Sequence, residues 1–224
     1  MVLLLFFVFG TLGVDYNINI RFSQEDEQKI IDLTQSLSST YGVNNQIDFS
    51  KCAPHITLYL TLFKEEVIPR VVERIAKAIE NLRGCNITLD TAEPSGNYYM
   101  FNAAKSDCLS TLSESIVNLV CPYYDKSYVC PSWVDGITDE EKKTTMKFNC
   151  DHYGSPNVFT TFSPHVTLFY NDDTTLINKL PKTLEPIKIS STKVSMTVSG
   201  NYGTAERGKE NMYGYLYDPL IEFN

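Results

Sequence analysis

Cys52-Ala53-Pro54-His55-Ile56-Thr57-Leu58-Tyr59 reappears as Phe162-Ser163-Pro164-His165-Val166-Thr167-Leu168-Phe169. Pro, His, Thr and Leu are identical, and after the proline the only changes are Ile to Val and Tyr to Phe. Both stretches read as β-strands, because β-branched and aromatic residues dominate them. Side chains at i and i+2 of a strand share a face. His55 and Thr57 therefore point one way, with Tyr59 beyond them, while Ile56, Leu58 and Leu60 point the other. In the second copy His165, Thr167 and Phe169 share a face opposite Val166, Leu168 and Tyr170. One face is apolar and packs on helices. The other carries an imidazole and a hydroxyl, a pair for which a core strand has no use.

The repetition extends outward from these strands. Ser95-Gly96-Asn97-Tyr98 recurs as Ser199-Gly200-Asn201-Tyr202, once after each histidine, and reads most simply as a turn signal. Ahead of His55, Tyr16, Ile18, Ile20 and Phe22 alternate with Asp15, Asn17, Asn19 and Arg21, which predicts a strand with one wet face. Ser23 can cap a helix with the stripe Ile30, Leu33 and Leu37, closed by Gly42. Beyond His55, Val67, Val71, Ile75, Ala78 and Leu82 mark a second helix ending near Gly84, and Ile87 and Leu89 a strand. The second copy offers a strand over 98–104, then a helix with Leu109, Leu112, Ile116 and Leu119 that Asp107 can cap. The second His strand follows, then a short helix over 174–180, a strand with Val194, Met196 and Val198, and a last strand over 212–218.

Each unit is thus strand, helix, His strand, helix, strand, the first over about 15–94 and the second over about 95–224. This predicts an α+β fold: two pseudo-symmetric lobes of antiparallel sheet with helices outside and a central cleft. Residues 121–161, with three cysteines, His152 and the single Trp133, break the symmetry. They read as a disulfide-tied insertion, or more plainly as a surface loop, and His152 as a surface residue.

Two imidazoles facing across such a cleft suit acid–base phosphoryl transfer, since histidine titrates near neutrality and serves as base or acid. Hydroxyls beside them can donate to oxygens on which charge develops. The paired motifs His55-Ile56-Thr57-Leu58 and His165-Val166-Thr167-Leu168 resemble those of the 2H phosphoesterase superfamily. That group includes the bacterial 2′-5′ RNA ligase, plant and bacterial cyclic phosphodiesterases and vertebrate 2′-5′ oligoadenylate-degrading enzymes. The resemblance implies a bilobal α+β fold with both motifs in its cleft. It implies hydrolysis or transfer at 2′,3′-cyclic or 2′-5′ phosphodiester bonds without metal or other cofactor. It also implies that His55 and His165 are the acid–base pair and that Thr57 and Thr167 bind phosphate. Tyr59, Phe169, Tyr98 and Tyr202 are candidates to stack on a base, although most aromatics in a chain this rich in them are fill.

Composition narrows the partners. Lys and Arg number 19 against 27 Asp and Glu, a net charge of −8. Such a chain holds long nucleic acid poorly, because phosphate contacts supply most of that affinity. A small nucleotide or an RNA end remains in reach, and the chain is expected to be monomeric. Met1 to Gly13 is uncharged and apolar, too short to span a bilayer, and reads as a secretory signal that leaves no stable membrane anchor once cleaved. The even count of 6 cysteines suits an oxidising compartment and three disulfides, whose pairing the spacing leaves open. Asn86-Ile87-Thr88 is an N-glycosylation sequon, and secretion would make it usable. Two other classes of function fit the same residues: a nucleotide- or RNA-binding protein with little catalysis, and an extracellular interaction protein that recruits its partner through the insertion.

Overall fold

The computed structural model describes residues 13–79, 85–189 and 192–208. The apolar segment up to Leu12, the end of the second helix and the strand expected over 212–218 lie outside the described residues.

β1 (Val14–Phe22), β3 (His55–Phe63) and β8 (Thr192–Val198) form one antiparallel sheet in the order β3-β1-β8. β4 (Ile87–Ser95), β5 (Tyr98–Ala103), β6 (His165–Tyr170) and β7 (Ile187–Ile189) form the second, in the order β6-β5-β4-β7. A short pair, β2 (Cys52–Ala53) with β9 (Ala205–Glu206), sits beside the first His strand. The duplication carries an exchange. β4, the last strand of the first unit, pairs with β5 of the second, and β8, from the second unit, pairs with β1 of the first. Each His strand ends up on the outer edge of its own sheet, and Cα atoms of β3 and β6 approach within 8 Å.

α1 (Gln24–Tyr41) starts as expected: Ser23 Oγ accepts from the Asp26 amide at 3.1 Å, and Gly42 closes the helix with φ of 64°. α2 (Ile68–Ile79) packs on α3 (Asp107–Val120), which lies against β3. The cap of α3 is Ser106, whose Oγ accepts from the Leu109 amide at 3.2 Å, rather than Asp107. The side chain that reaches back is the one still in extended backbone, one residue before the first helical turn. The short helix α5 (Thr174–Ile177) stops three residues before the expected end at Leu180. The insertion contains a helix that periodicity does not reveal, α4 (Glu140–Tyr153), because it buries only Met146, Asn149 and Cys150. His152 lies exposed on α4, stacked on Phe148.

Two disulfides form rather than three. Cys85–Cys108 joins the approach to β4 to the first turn of α3, and Cys130–Cys150 closes the insertion on itself, tying the loop ahead of α4 to its last turn. Cys52 and Cys121 are free thiols. They stand apart in the fold: Cys52, on β2, lines the same recess as His55, while Cys121 closes the C-terminal end of α3.

The His strands depart from simple alternation at matching places. Ile18 pairs with Tyr59 and Asn19 with Thr57, so Leu58 is an extra residue. Tyr99 pairs with Phe169 and Met100 with Thr167, so Leu168 is extra in the same way. Each is a β-bulge, which shifts every later side chain to the other face. The carbonyl that leaves the ladder needs a donor. Ser113 Oγ of α3 donates to Leu58 O at 2.9 Å, and Asn45 Nδ2 donates to Leu168 O at 2.8 Å. Tyr59 and Phe169 therefore point into the core, 1% and 0% exposed.

The alternation in β1 is real, but its polar face is not wet. Asn17 and Asn19 are fully buried, forming the floor of the cleft rather than an outer surface.

Candidate active site

Each histidine is aimed by the two residues before it. Proline at 54 and 164 contributes no N–H, and the carbonyl just before it turns onto the imidazole. His55 Nδ1 donates to Ala53 O at 2.9 Å, and His165 Nδ1 donates to Ser163 O at 2.8 Å. A carbonyl only accepts, so Nδ1 carries the proton in both rings and Nε2 is left for chemistry.

His55 and Thr167, from opposite units, line one narrow recess together with Cys52, Tyr202, Gly203 and Thr204. The two histidines feel each other electrostatically: a charge on His165 disfavours charge on His55. Both rings are partly exposed yet enclosed by protein on most sides. That enclosure is the main reason their pKa values fall below 6.5, His55 to about 4.

The secondary causes separate the pair. Arg21, the register partner of His55, pushes its pKa down further, as does His165; the carbonyls of Ala53 and Gly203 pull the other way. His165 has Asn102 as its register partner and the Glu93 carboxylate nearby, which favours its charged form. Glu27 binds two arginines at once, Arg21 and Arg207, each at 2.8 Å. Arg207 Nε donates to the carbonyls of Phe49 and Cys52, so this cluster clamps the chain just ahead of His55.

Thr57 Oγ1 accepts from Asn17 Nδ2 at 3.0 Å, and the same amide reaches His55 Nε2 at 3.2 Å and the Gly203 carbonyl at 3.3 Å. Asn17 is thus at the centre of the site. The sequence carries no separate signal for it, since Asn17 is one of four alternating polar residues, Asp15, Asn17, Asn19 and Arg21, on that strand.

The aromatic candidates divide. Tyr59 and Phe169 are sealed in the core, where no base can stack on them; the bulges send them there. Tyr59 uses its hydroxyl to bond Tyr153 O. Tyr170 takes the cleft-side place instead, with Tyr98 edge-on at 4.9 Å and Tyr202 stacked on it at 3.8 Å. The two Ser-Gly-Asn-Tyr stretches diverge in role. Gly96 and Asn97 make the hairpin turn between β4 and β5. The second stretch folds over the recess, with Tyr202 in left-handed backbone at φ of 63°, a strained setting for a residue with a side chain. Asn86 lies exposed just ahead of β4.

A family model described as the 2′-5′ RNA ligase superfamily matches residues 27–202, which takes in both His strands and both exchanged strands, β4 and β8, but not β1. A comparison with curated proteins finds no match.

Proposed function

Because the chain belongs to the 2′-5′ RNA ligase superfamily, a group of phosphodiesterase and ligase-type proteins, we propose that it is a hydrolase of 2′,3′-cyclic phosphate or 2′-5′ phosphodiester bonds in RNA ends or small nucleotides. His55 and His165 are its acid–base pair, Thr57 and Thr167 its phosphate ligands, and no metal takes part. The observation that carries this reading is the matched aim of the two rings. Each has Nδ1–H fixed by the carbonyl two residues upstream, and His55 shares its recess with the threonine of the other unit.

The chemistry then follows. One neutral imidazole takes a proton from water as the water oxygen bonds to phosphorus. The bond from phosphorus to the leaving ribose oxygen breaks, and the second ring, as imidazolium, protonates that oxygen. The threonine hydroxyls donate to the nonbridging oxygens as charge builds there. The net charge of −8 favours a small substrate over a long strand. Tyr98, Tyr170 and Tyr202 offer rings for a base at the rim.

We read the protein as secreted, or resident in the secretory lumen. The disulfides Cys85–Cys108 and Cys130–Cys150 suit such a compartment, and the exposed Asn86 is open to glycosylation.

The test is a screen of cyclic mononucleotides, 2′-5′ and 3′-5′ dinucleotides and cyclic-phosphate-ended RNA in EDTA, with products identified by mass. His55→Ala and His165→Ala should each cut turnover at least about 100-fold while the fold survives. Wild-type rates in both variants would end the acid–base assignment.

A further inference from the structure

We propose that Asn17 makes the two histidines unequal: its amide holds His55 as the neutral general base, which leaves His165 as the acid. This deepens the phosphodiesterase reading and rests on it for the chemistry, though not for the titration that tests it.

The orientation of the amide is fixed by its surroundings. The Gly203 carbonyl can only accept, so the atom 3.3 Å from it is Nδ2. Nδ2 can only donate, so the His55 Nε2 at 3.2 Å must offer a lone pair. With Nδ1–H already given to Ala53 O, the ring is neutral. Nothing equivalent acts on His165 among the described residues. The position matching Asn17 in the second sheet, opposite Tyr170 as Asn17 is opposite Leu60, is Tyr98. Asn102, beside His165, spends its Nδ2 on Glu93 at 2.9 Å.

The hydrogen count explains how Asn17 can hold the base and still release it. Nδ2 has two hydrogens and three acceptors: His55 Nε2, Thr57 Oγ1 and Gly203 O. When a nucleophile arrives, Nε2 can be given up with both hydrogens still bonded. The hydrogen bond into Thr57 Oγ1 leaves that hydroxyl's own proton free for a nonbridging oxygen. Asn17 Oδ1 is buried without a partner, in a residue 0% exposed. An orphaned acceptor is costly, and the amide bears that cost while its donor side is held on His55, Thr57 and Gly203. Once Nε2 carries the proton, it can donate a hydrogen bond to the Gly203 carbonyl, which favours the charged ring.

The other charged and titratable groups about His55 are Arg21, paired with Glu27, and Lys193 opposite Arg21 on β8; Cys52 and Glu206 on β2 and β9; His165 on β6; and Tyr202 on the turn. Only Asn17 among these contacts is a neutral donor bonded to Nε2.

The experiment is a nitrogen-15 NMR titration of the histidines in the full chain without substrate, with peaks assigned through His55→Gln and His165→Gln. His165 should protonate first as pH falls, with His55 persisting as the Nδ1–H tautomer. Asn17→Asp, which puts a carboxylate in place of the donor, should raise the His55 midpoint by about one unit or more and move the acid limb of the rate profile with it, leaving His165 in place. Asn17→Ser, a smaller change, should raise the His55 midpoint less and lower kcat more than it changes KM. If His55 protonates first in the wild type, or if both substitutions leave its midpoint unmoved, Asn17 does not set the roles. An inactive protein with the expected titration would instead count against the hydrolase reading alone.

Discussion

His55 should make the protein acid-sensitive, and its removal should remove that sensitivity. In the folded chain its pKa is depressed from 6.5 to about 4, mainly because the ring is enclosed by protein. The unfolded chain therefore binds more protons than the folded one across this window. Stability is full above the unfolded value and is lost as pH falls through it towards the folded value. A depression of this size corresponds to about 3 kcal/mol at roughly 1.4 kcal/mol per unit, about three-quarters of it gone by about pH 4.5 and the rest below the folded value. Solvent reaching the edge of the ring screens part of this, which leaves about 2 kcal/mol. The assay is urea unfolding of the wild type and His55→Gln at pH 7 and pH 4.5, compared as a difference of differences so that the carboxylates cancel. The wild type should lose about 2 kcal/mol more than the variant on acidification. Equal losses would mean that His55 is well hydrated in the folded state, and the account of the recess as an enclosed site would fail with it.

Three further outcomes follow from the fold. Ser113→Ala strips the donor from the Leu58 carbonyl and should cost about 1–3 kcal/mol in urea unfolding, with the equivalent loss at Leu168 for Asn45→Ala; no change in either would remove the bulges as features held by side-chain donors. Tyr59→Phe should lower stability by about 1 kcal/mol through the lost bond to Tyr153 O while KM stays unchanged, whereas a raised KM would restore Tyr59 to the substrate. Thiol titration in denaturant should find the 2 free cysteines Cys52 and Cys121 before reduction and all 6 after it; none before reduction would return the count to three disulfides.

Much of this site was legible because duplication supplies an internal control. Two copies of Pro-His-x-Thr, each on an apolar strand, define the strands, the facing residues and the shared cleft without any other sequence to compare. What was not legible has physical causes. A bulge is a property of pairing between strands, and alternation within one strand does not show it. The only trace is the pair of adjacent bulky residues after each threonine, Leu58-Tyr59 and Leu168-Phe169, which cannot both be core-facing in a regular strand. Asn17 and Asn19 read as solvent-facing because polarity on one face of a strand marks a cleft floor as readily as a surface. The helix α4 was hidden because a helix covering a domain at few points has little apolar stripe to read. Three disulfides were expected from an even count of cysteines, but parity says nothing about where the fold puts each thiol: Cys52 is on β2 and Cys121 at the end of α3.

The exchange of strands explains why the copies could diverge around the site without losing it. Because β4 joins the second sheet and β8 the first, neither unit owns a complete sheet. The two His strands each lie on an outer edge of their sheet, and there their Cα atoms approach within 8 Å. The bulges and the carbonyl-fixed imidazoles are common to both copies, and they are the parts that aim the rings. The residues beside the rings are then free to differ: Asn17 against Tyr98, Arg21 against Asn102. The proposed phosphoryl transfer needs one ring without a proton and one with it at the same moment. A symmetric scaffold cannot supply that difference, so it must come from these neighbours, and they differ in the required direction: a cation and a donor beside His55, a carboxylate near His165.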